Sequence, residues 1–461
     1  MKKFLDLFWL AIKGGEKNFT EGSINRAIFL LSIPMILEMI MEALFAVVDV
    51  FFVSRVSVNA VATVGLTESV ITLVYSIAIG LSMATTAMVA RRVGENDHQQ
   101  AAVAAVQAII ITVCISLLIS VLGILFADDI LRMMGGSDEL IEEGVSYTRI
   151  IFAGNIVIML LFLLNAILRG AGDAAIAMRA LWLANILNMI LDPCFIFGLG
   201  PFPELGVAGA AVATNIGRGI GVCFQLYVLF RGKEIIRVAK RHLTIVWSII
   251  YRLLDVSLGG MGQYLIASAS WIFLMRIIAE FGESAVAGYT ISIRMIIFAI
   301  LPAWGMANAT ATLVGQNLGA KQPERAETSV WRSAFFTMLF LLCVSVLYFL
   351  FATPMVRLFH DGPVVLKYGV ASLKIICLGY VFFAYGMVIS QAFNGAGDTR
   401  TPTWINFVCF WLLQIPLAYA MGIHFKMGPN GVFWAIAISE TILAIICILV
   451  FKQGKWKEIK I

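Results

Sequence analysis

The sequence predicts an all-α membrane protein: twelve transmembrane helices in two parallel-repeat lobes of six. Three observations carry that prediction. The chain is too apolar to be soluble, its apolar runs match a bilayer in length, and its second half repeats its first. Of 461 residues, 61% are hydrophobic and 13% charged, where a soluble domain has about half and about a quarter. A membrane-spanning helix needs about 20 mostly apolar residues. Such runs lie at 27–53, 62–90, 101–126, 145–168, 176–199, 207–230, 246–278, 285–314, 330–351, 367–393, 402–425 and 430–452.

The repeat has one fixed offset. GAGD at 170–173 recurs at 395–398, an offset of 225, and Ala60-Val61-Ala62, Ala84-Thr85, Gly94 and Gly206-Val207 meet their counterparts at the same distance. Six spans per unit make the halves parallel, related by a pseudo-twofold axis along the membrane normal. The chain then divides into an N-terminal segment at 1–26, an N-lobe at 27–230, a linker at 231–245, a C-lobe at 246–452 and a tail at 453–461. The start has a short apolar run without a small-residue cleavage site, which reads as an interfacial helix and not as a signal peptide. With an even span count both termini share a side. That side collects Lys13, Lys17, Arg26, Arg91, Arg92, Arg231, Lys233, Arg237, Lys240 and Arg241, so the positive-inside rule makes both termini cytoplasmic.

The net charge of +5 is small and sits mostly in loops, which argues against a nucleic-acid partner. The seven cysteines fall in apolar segments without metal or redox spacing and read as small core residues; the four histidines lie in loops or at helix ends. An intramembrane enzyme needs a nucleophile with a base, or a metal cluster, and neither pattern is present, so the chain reads as no enzyme. Duplicated lobes suit rocking alternating access better than a fixed pore.

The first span, PMILEMIMEALFAVVDVFFVSR, carries Glu38, Glu42 and Asp49. At 100° per residue the three fall within about 40° of one another, on one stripe. A charge at mid-bilayer costs about 2.5–3.5 kcal/mol on insertion scales, so the stripe should face protein or water and serve to carry a proton or a small cation. For Glu38, closest to the span's end, the alternative is simple contact with water. In the fifth span, Asn188 and Asp192 are one turn apart and Pro193 follows; an acid, an amide and a carbonyl freed by proline are oxygen-rich chemistry for H⁺ or Na⁺, or else a polar interhelical clamp. Thr214 adds a hydroxyl in the small-residue opening of the sixth span. RGAGDAA and NGAGDTRTP read as turns. The second half lacks the stripe: Gln263 stands where the first has Glu38, and Leu274 where it has Asp49. Arg294 and Glu440 lie near mid-span there; an ion pair between them is the favoured reading, a second titrating site at Glu440 the alternative. Plentiful methionine and aromatic residues suit binding of flat cationic molecules.

VVDVFFVSRVSVNAVATVGL, NMILDPCFIFG, RGAGD, VAGAAVATNIG and NGAGDTRTP together resemble the signatures of the multidrug and toxic compound extrusion (MATE) family, prokaryotic branch, over about residues 25–455. The resemblance implies a V-shaped pair of lobes and export of organic cations and other amphipathic compounds in exchange for H⁺ or Na⁺, with no other cofactor. Its coupling set maps onto Asp49, Asn188, Asp192, Thr214 and Tyr147, to which the stripe adds Glu42. Asn165, Glu38, Glu68, Gln263, Arg294 and Glu440 form the expected substrate-cavity or gating set. The stripe holds an acid at Glu42 where the family more often has an amide, and the seventh span lacks the mid-span acid of some branches. The expected setting is a bacterial inner membrane, with a monomer acting on small organic substrates. The alternative is a flippase for a lipid-linked saccharide or other lipid, which needs a cationic cavity; Arg149, Arg294 and Lys374 are its candidates.

Overall fold

The structure is a computed structural model that describes residues 2–14, 18–232 and 236–461; Lys17 and Lys233 of the orientation argument lie outside the described residues. Every regular element described is helical. In chain order they are α1 (Lys2–Lys13), α2 (Ile24–Val53), α3 (Val58–Gly94), α4 (His98–Leu125), α5 (Ala127–Met133), α6 (Asp138–Ala153), α7 (Asn155–Gly170), α8 (Ala174–Phe197), α9 (Val207–Arg231), α10 (Trp247–Ala279), α11 (Glu283–Gly319), α12 (Pro323–Arg357), α13 (Pro363–Leu378) and α14 (Tyr380–Ala396). The eleventh and twelfth spans, Arg400–His424 and Pro429–Lys452, follow.

Among the described residues nine helices are each long and apolar enough to cross a membrane, and two bent pairs bring the number to eleven. The acid-bearing α2, 30 residues long, is the twelfth. The bent pairs differ from the straight spans expected at 145–168 and 367–393: α6 and α7 meet at 42°, α13 and α14 at 57°. The breaks fall at Gly154 and Gly379, which are themselves repeat equivalents. Asn215 Nδ2 donates to the Ile150 carbonyl at 2.8 Å beside the first break, satisfying a backbone acceptor next to the kink.

The two halves meet through equivalent helices. α2 packs on α11, α3 packs on α10, and α3 crosses α11. At one end of that crossing a β-carbon on Gly94 would collide with the Gln316 carbonyl, and one on Gly319 with the Arg91 carbonyl. Residues 94 and 319, and 91 and 316, are repeat partners, so the seam is a self-complementary contact across the pseudo-twofold. The last residues brace the same end: Arg91 donates to the Ile459 carbonyl and Arg92 to the Ile461 carbonyl, while Trp456 is buried. α1 lies there too, with Arg179 Nη2 donating to the Ile12 and Lys13 carbonyls at 2.8 and 2.6 Å. The seven cysteines divide: Cys377, Cys409 and Cys447 are buried as expected, Cys194 is half-buried, and Cys114, Cys223 and Cys343 are exposed, because their helices turn that face outward.

Candidate functional site

The acid stripe of α2 does not act as a unit. Glu38 is buried, which removes the simple-water reading; its Oε1 accepts from Asn165 Nδ2 at 3.0 Å and from Arg169 Nη1 at 3.3 Å. Glu42 accepts from Asn185 Nδ2 and from Arg218 Nη2, both at 3.0 Å. Asp49 is buried and has no hydrogen bond or ion pair among the described residues. Two of the three acids are therefore neutralised by arginine, and Asp49 alone keeps a free carboxylate.

Opposite Asp49 stands the α8–α9 cluster. Asn188 Nδ2 donates to Asp192 Oδ1 at 3.3 Å and to Thr214 Oγ1 at 3.1 Å. Close helix packing permits this: a β-carbon on Gly217 would sit 2.6 Å from the Ala184 carbonyl oxygen and 3.0 Å from the Asn188 nitrogen. Asp192 Oδ2 and Asn188 Oδ1 are buried and accept nothing. Asp49 and Asp192 act on each other electrostatically, and Tyr147, buried on α6, feels both together with Glu68 of α3. Asp49, Asn188, Asp192, Thr214 and Tyr147 thus gather in one oxygen-rich cluster. Glu68 borders it from an accessible position.

Two cavities adjoin. One of about 320 Å³ between the halves is lined by Glu38, Glu42, Asn165 and Arg169 on one side and Trp304, Asn308, Gln391 and Asn394 on the other. The second, about 470 Å³, is walled mainly by the second half and includes Gln263 and Glu440. Tyr264, Leu301, Trp304 and Gln391 belong to both walls.

The MatE family profile matches the chain twice, at residues 34–194 and 261–420. The chain belongs to the MATE family. Its double match follows the internal repeat. The chain is similar, at 29% identity over 94% of each sequence, to a probable multidrug resistance protein NorM of Thermotoga maritima. It is 27% identical to an FAD transporter of Shewanella oneidensis, over 92% of this chain and 93% of that one. A solved outward-facing structure of a multidrug resistance MATE transporter superposes with a TM-score of 0.89 at 29% identity, covering 96% of this chain and 100% of the other. The protein is a multi-pass membrane transporter of the multidrug-efflux type.

Two sequence expectations change within this MATE fold. The Arg294–Glu440 pair is not formed. α11 turns Ile293, Ile296, Ile297 and Ile300 to the larger cavity, which leaves Arg294 on an exposed face. The interior cations also differ: Arg149 pairs with Asp128 at 2.7 Å in a half-exposed site, and Lys374 lies over the Phe349 ring. The arginines that meet the acids of α2 are instead Arg169 and Arg218, with side chains 13% and 3% exposed. Arg218 carried a legible signal, since it lies mid-way along the 25-residue α9, where a charge is costly. Arg169 was hidden in the RGAGD turn.

Proposed function

We propose that this MATE transporter is a secondary antiporter that exports organic cations and amphipathic drugs in exchange for H⁺, coupled through the first half. The observation that carries the reading is the free Asp49 carboxylate facing the Asn188–Asp192–Thr214 cluster, whose two orphan oxygens await a proton or a bare cation. Buried acceptors of this kind are costly when empty and are satisfied when the coupling ion arrives. Substrate enters from the cytoplasmic side or the inner leaflet, the lobes rock outward, and the ion enters the first lobe and binds near Asp49 and Asp192. By linkage, ion and substrate must each weaken the other's binding. The residues Glu42 and Tyr147 shape the electrostatics of that site, and Asn165, Glu38, Gln263 and Glu440 line the route of the cargo. In this reading the protein is a monomer in a bacterial inner membrane with both termini cytoplasmic, since the loop cations gather on the linker side.

A flippase or a carrier of an anionic cargo needs free interior cations. Arg169 and Arg218 are both held by carboxylates, which favours cationic cargo. The deciding experiment is export of ethidium by purified protein in proteoliposomes under an imposed pH gradient or Na⁺ gradient. Export driven by the pH gradient and abolished by Asp49→Asn is expected. Export driven only by Na⁺ would replace the ion, and no export under either gradient would remove the reading.

A further inference from the structure

Arg218 spends only part of its guanidinium. Nη2 donates to Glu42 at 3.0 Å, while Nε and Nη1 are buried and donate to nothing among the described residues. Two turns along α2, the buried Asp49 accepts nothing among them. Buried donors and acceptors are normally paired, so orphans of both kinds side by side need a reason. The titratable groups that act on Arg218 electrostatically are Glu42 and Asp49 of α2 and Tyr75 of α3, which puts the guanidinium in the field of both acids. Phe45 stands between those acids, three residues after Glu42 and four before Asp49, on the same side of the helix. The guanidinium carbon lies 5.0 Å from its ring centroid.

The surroundings let the side chain move without its helix. Gly217, next to Arg218, packs directly on the Ala184 carbonyl, which holds the α9 backbone against α8. The Phe45 face attracts a cation at either end of the movement. Glu42 does not depend on arginine alone, since it also accepts from Asn185 Nδ2 at 3.0 Å and borders the smaller cavity. Asp49 lines neither of the two cavities described, and a bare carboxylate in a membrane interior is expensive. The second half has Leu274 in place of Asp49 and Leu443 in place of Arg218, so it lacks the acid and the cation together.

We propose that Arg218 is a tethered stand-in for the coupling ion: its guanidinium turns from Glu42 to Asp49 when Asp49 holds no ion, and an arriving ion sends it back. The structure shows the Glu42-bound arrangement. In the other arrangement the unspent N–H groups meet the Asp49 carboxylate, a fork geometry that suits arginine. A carboxylate that has released its ion is then not left bare while the lobes rock. Arg218 is thus a positioning residue that acts through Asp49. Its use in coupling rests on the export reading. Its reach to Asp49 does not, and is measured without transport, so the two fail separately.

The test is the thermal midpoint of the full-length protein in detergent, at alkaline pH without Na⁺, with Asp49→Asn placed in three backgrounds. In the otherwise unchanged chain its effect is expected to be small, because the guanidinium returns to Glu42. In Glu42→Gln, Asp49 is the acid left to Arg218, so adding Asp49→Asn should lower the midpoint by about 3 °C or more. In Glu42→Gln with Arg218→Gln the sign should reverse, since Asp49→Asn then removes a buried carboxylate that has no counter-charge. If Glu42→Gln with Asp49→Asn does not fold, adding Arg218→Gln should restore folding, because it removes the stranded cation. The same effect of Asp49→Asn in all three backgrounds overturns the proposal: Arg218 would then be a fixed partner of Glu42. Failure of Arg218→Gln to restore folding overturns it too.

Discussion

The two halves share a backbone plan and differ in what they bury. At position 38 of the first half, Glu38 meets Arg169 at 3.3 Å. At the equivalent place in the second, Gln263 Nε2 donates to Asn394 Oδ1 at 2.9 Å. The same pair of helices is bridged by a charge pair in one half and by two amides in the other. Glu42 and Arg218 become Ala267 and Leu443, and Asn188, Asp192 and Thr214 become Leu413, Leu417 and Ser439. The one acid in the wall of the larger cavity among the described residues, Glu440, replaces Asn215. The lesson is that the repeat conserves the geometry of the lobes, kinks and seam included, while titratable chemistry is free to diverge on it. Where a carboxylate and an arginine are buried against each other, removing one would strand the other, so both members of the pair change together.

That balance gives the sharpest way to break the comparison. Arg218→Leu installs the second-half residue alone and strands Glu42. It should cost about 3–5 kcal/mol of stability, read as a large drop in the thermal midpoint of purified protein. The double variant with Glu42→Ala reproduces the second-half pair and should recover most of the loss. If the single variant is as stable as the wild type, the pair is not a unit.

The same logic applies one turn away with a smaller contrast. Arg169→Ala leaves Glu38 buried with Asn165 alone and should cost about 3 kcal/mol. Asn394→Ala in the second half should cost about 1 kcal/mol, since Gln263 keeps its bond to the Thr399 carbonyl at 3.0 Å and an uncharged hydrogen bond is worth that much. Equal effects would mean that charge adds nothing to the first-half bridge.

The seam tests symmetry directly. Gly94→Ala and Gly319→Ala should each destabilise that end of the α3–α11 crossing by about 1–3 kcal/mol, and by matching amounts, because each new methyl meets the equivalent carbonyl. Thiol accessibility of a cysteine placed in the 95–97 turn would report the opening; a strong effect from one variant and none from the other would break the pseudo-twofold.

The smallest effect belongs to the linker joining the halves. Burial and the neighbouring Arg241 lower the His242 pKa below its ordinary 6.5, and the ring accepts from the Ala239 N–H at 3.1 Å. The folded linker holds the neutral ring, so its stability is full above the unfolded pKa and declines as pH falls below it. The protection factors of residues 239–246 against hydrogen exchange, corrected for the intrinsic pH dependence of exchange, should fall modestly from about pH 7.5 to about pH 5.5, and His242→Gln should flatten that dependence.

Much of this was legible in the chain. Bilayer-length apolar runs and the offset of 225 specify twelve spans in two lobes, because lipid leaves a chain no alternative to helices or closed barrels. Asp49, Asn188, Asp192 and Thr214 were readable as polar atoms where polarity is costly, and helical spacing linked the pairs lying on one helix. Sequence spacing carries no information about which face of one helix meets another. For that reason the stripe of three acids looked uniform, Arg294 looked like a partner for Glu440, and Arg169 looked like part of a turn. Only tertiary packing pairs Glu38 with Arg169 and Glu42 with Arg218, leaves Asp49 and Glu440 unpaired, and bends two spans at Gly154 and Gly379. Each of those outcomes depends on the rotation and crossing of helices far apart in sequence, and the cost of a buried charge is settled by its neighbours in space.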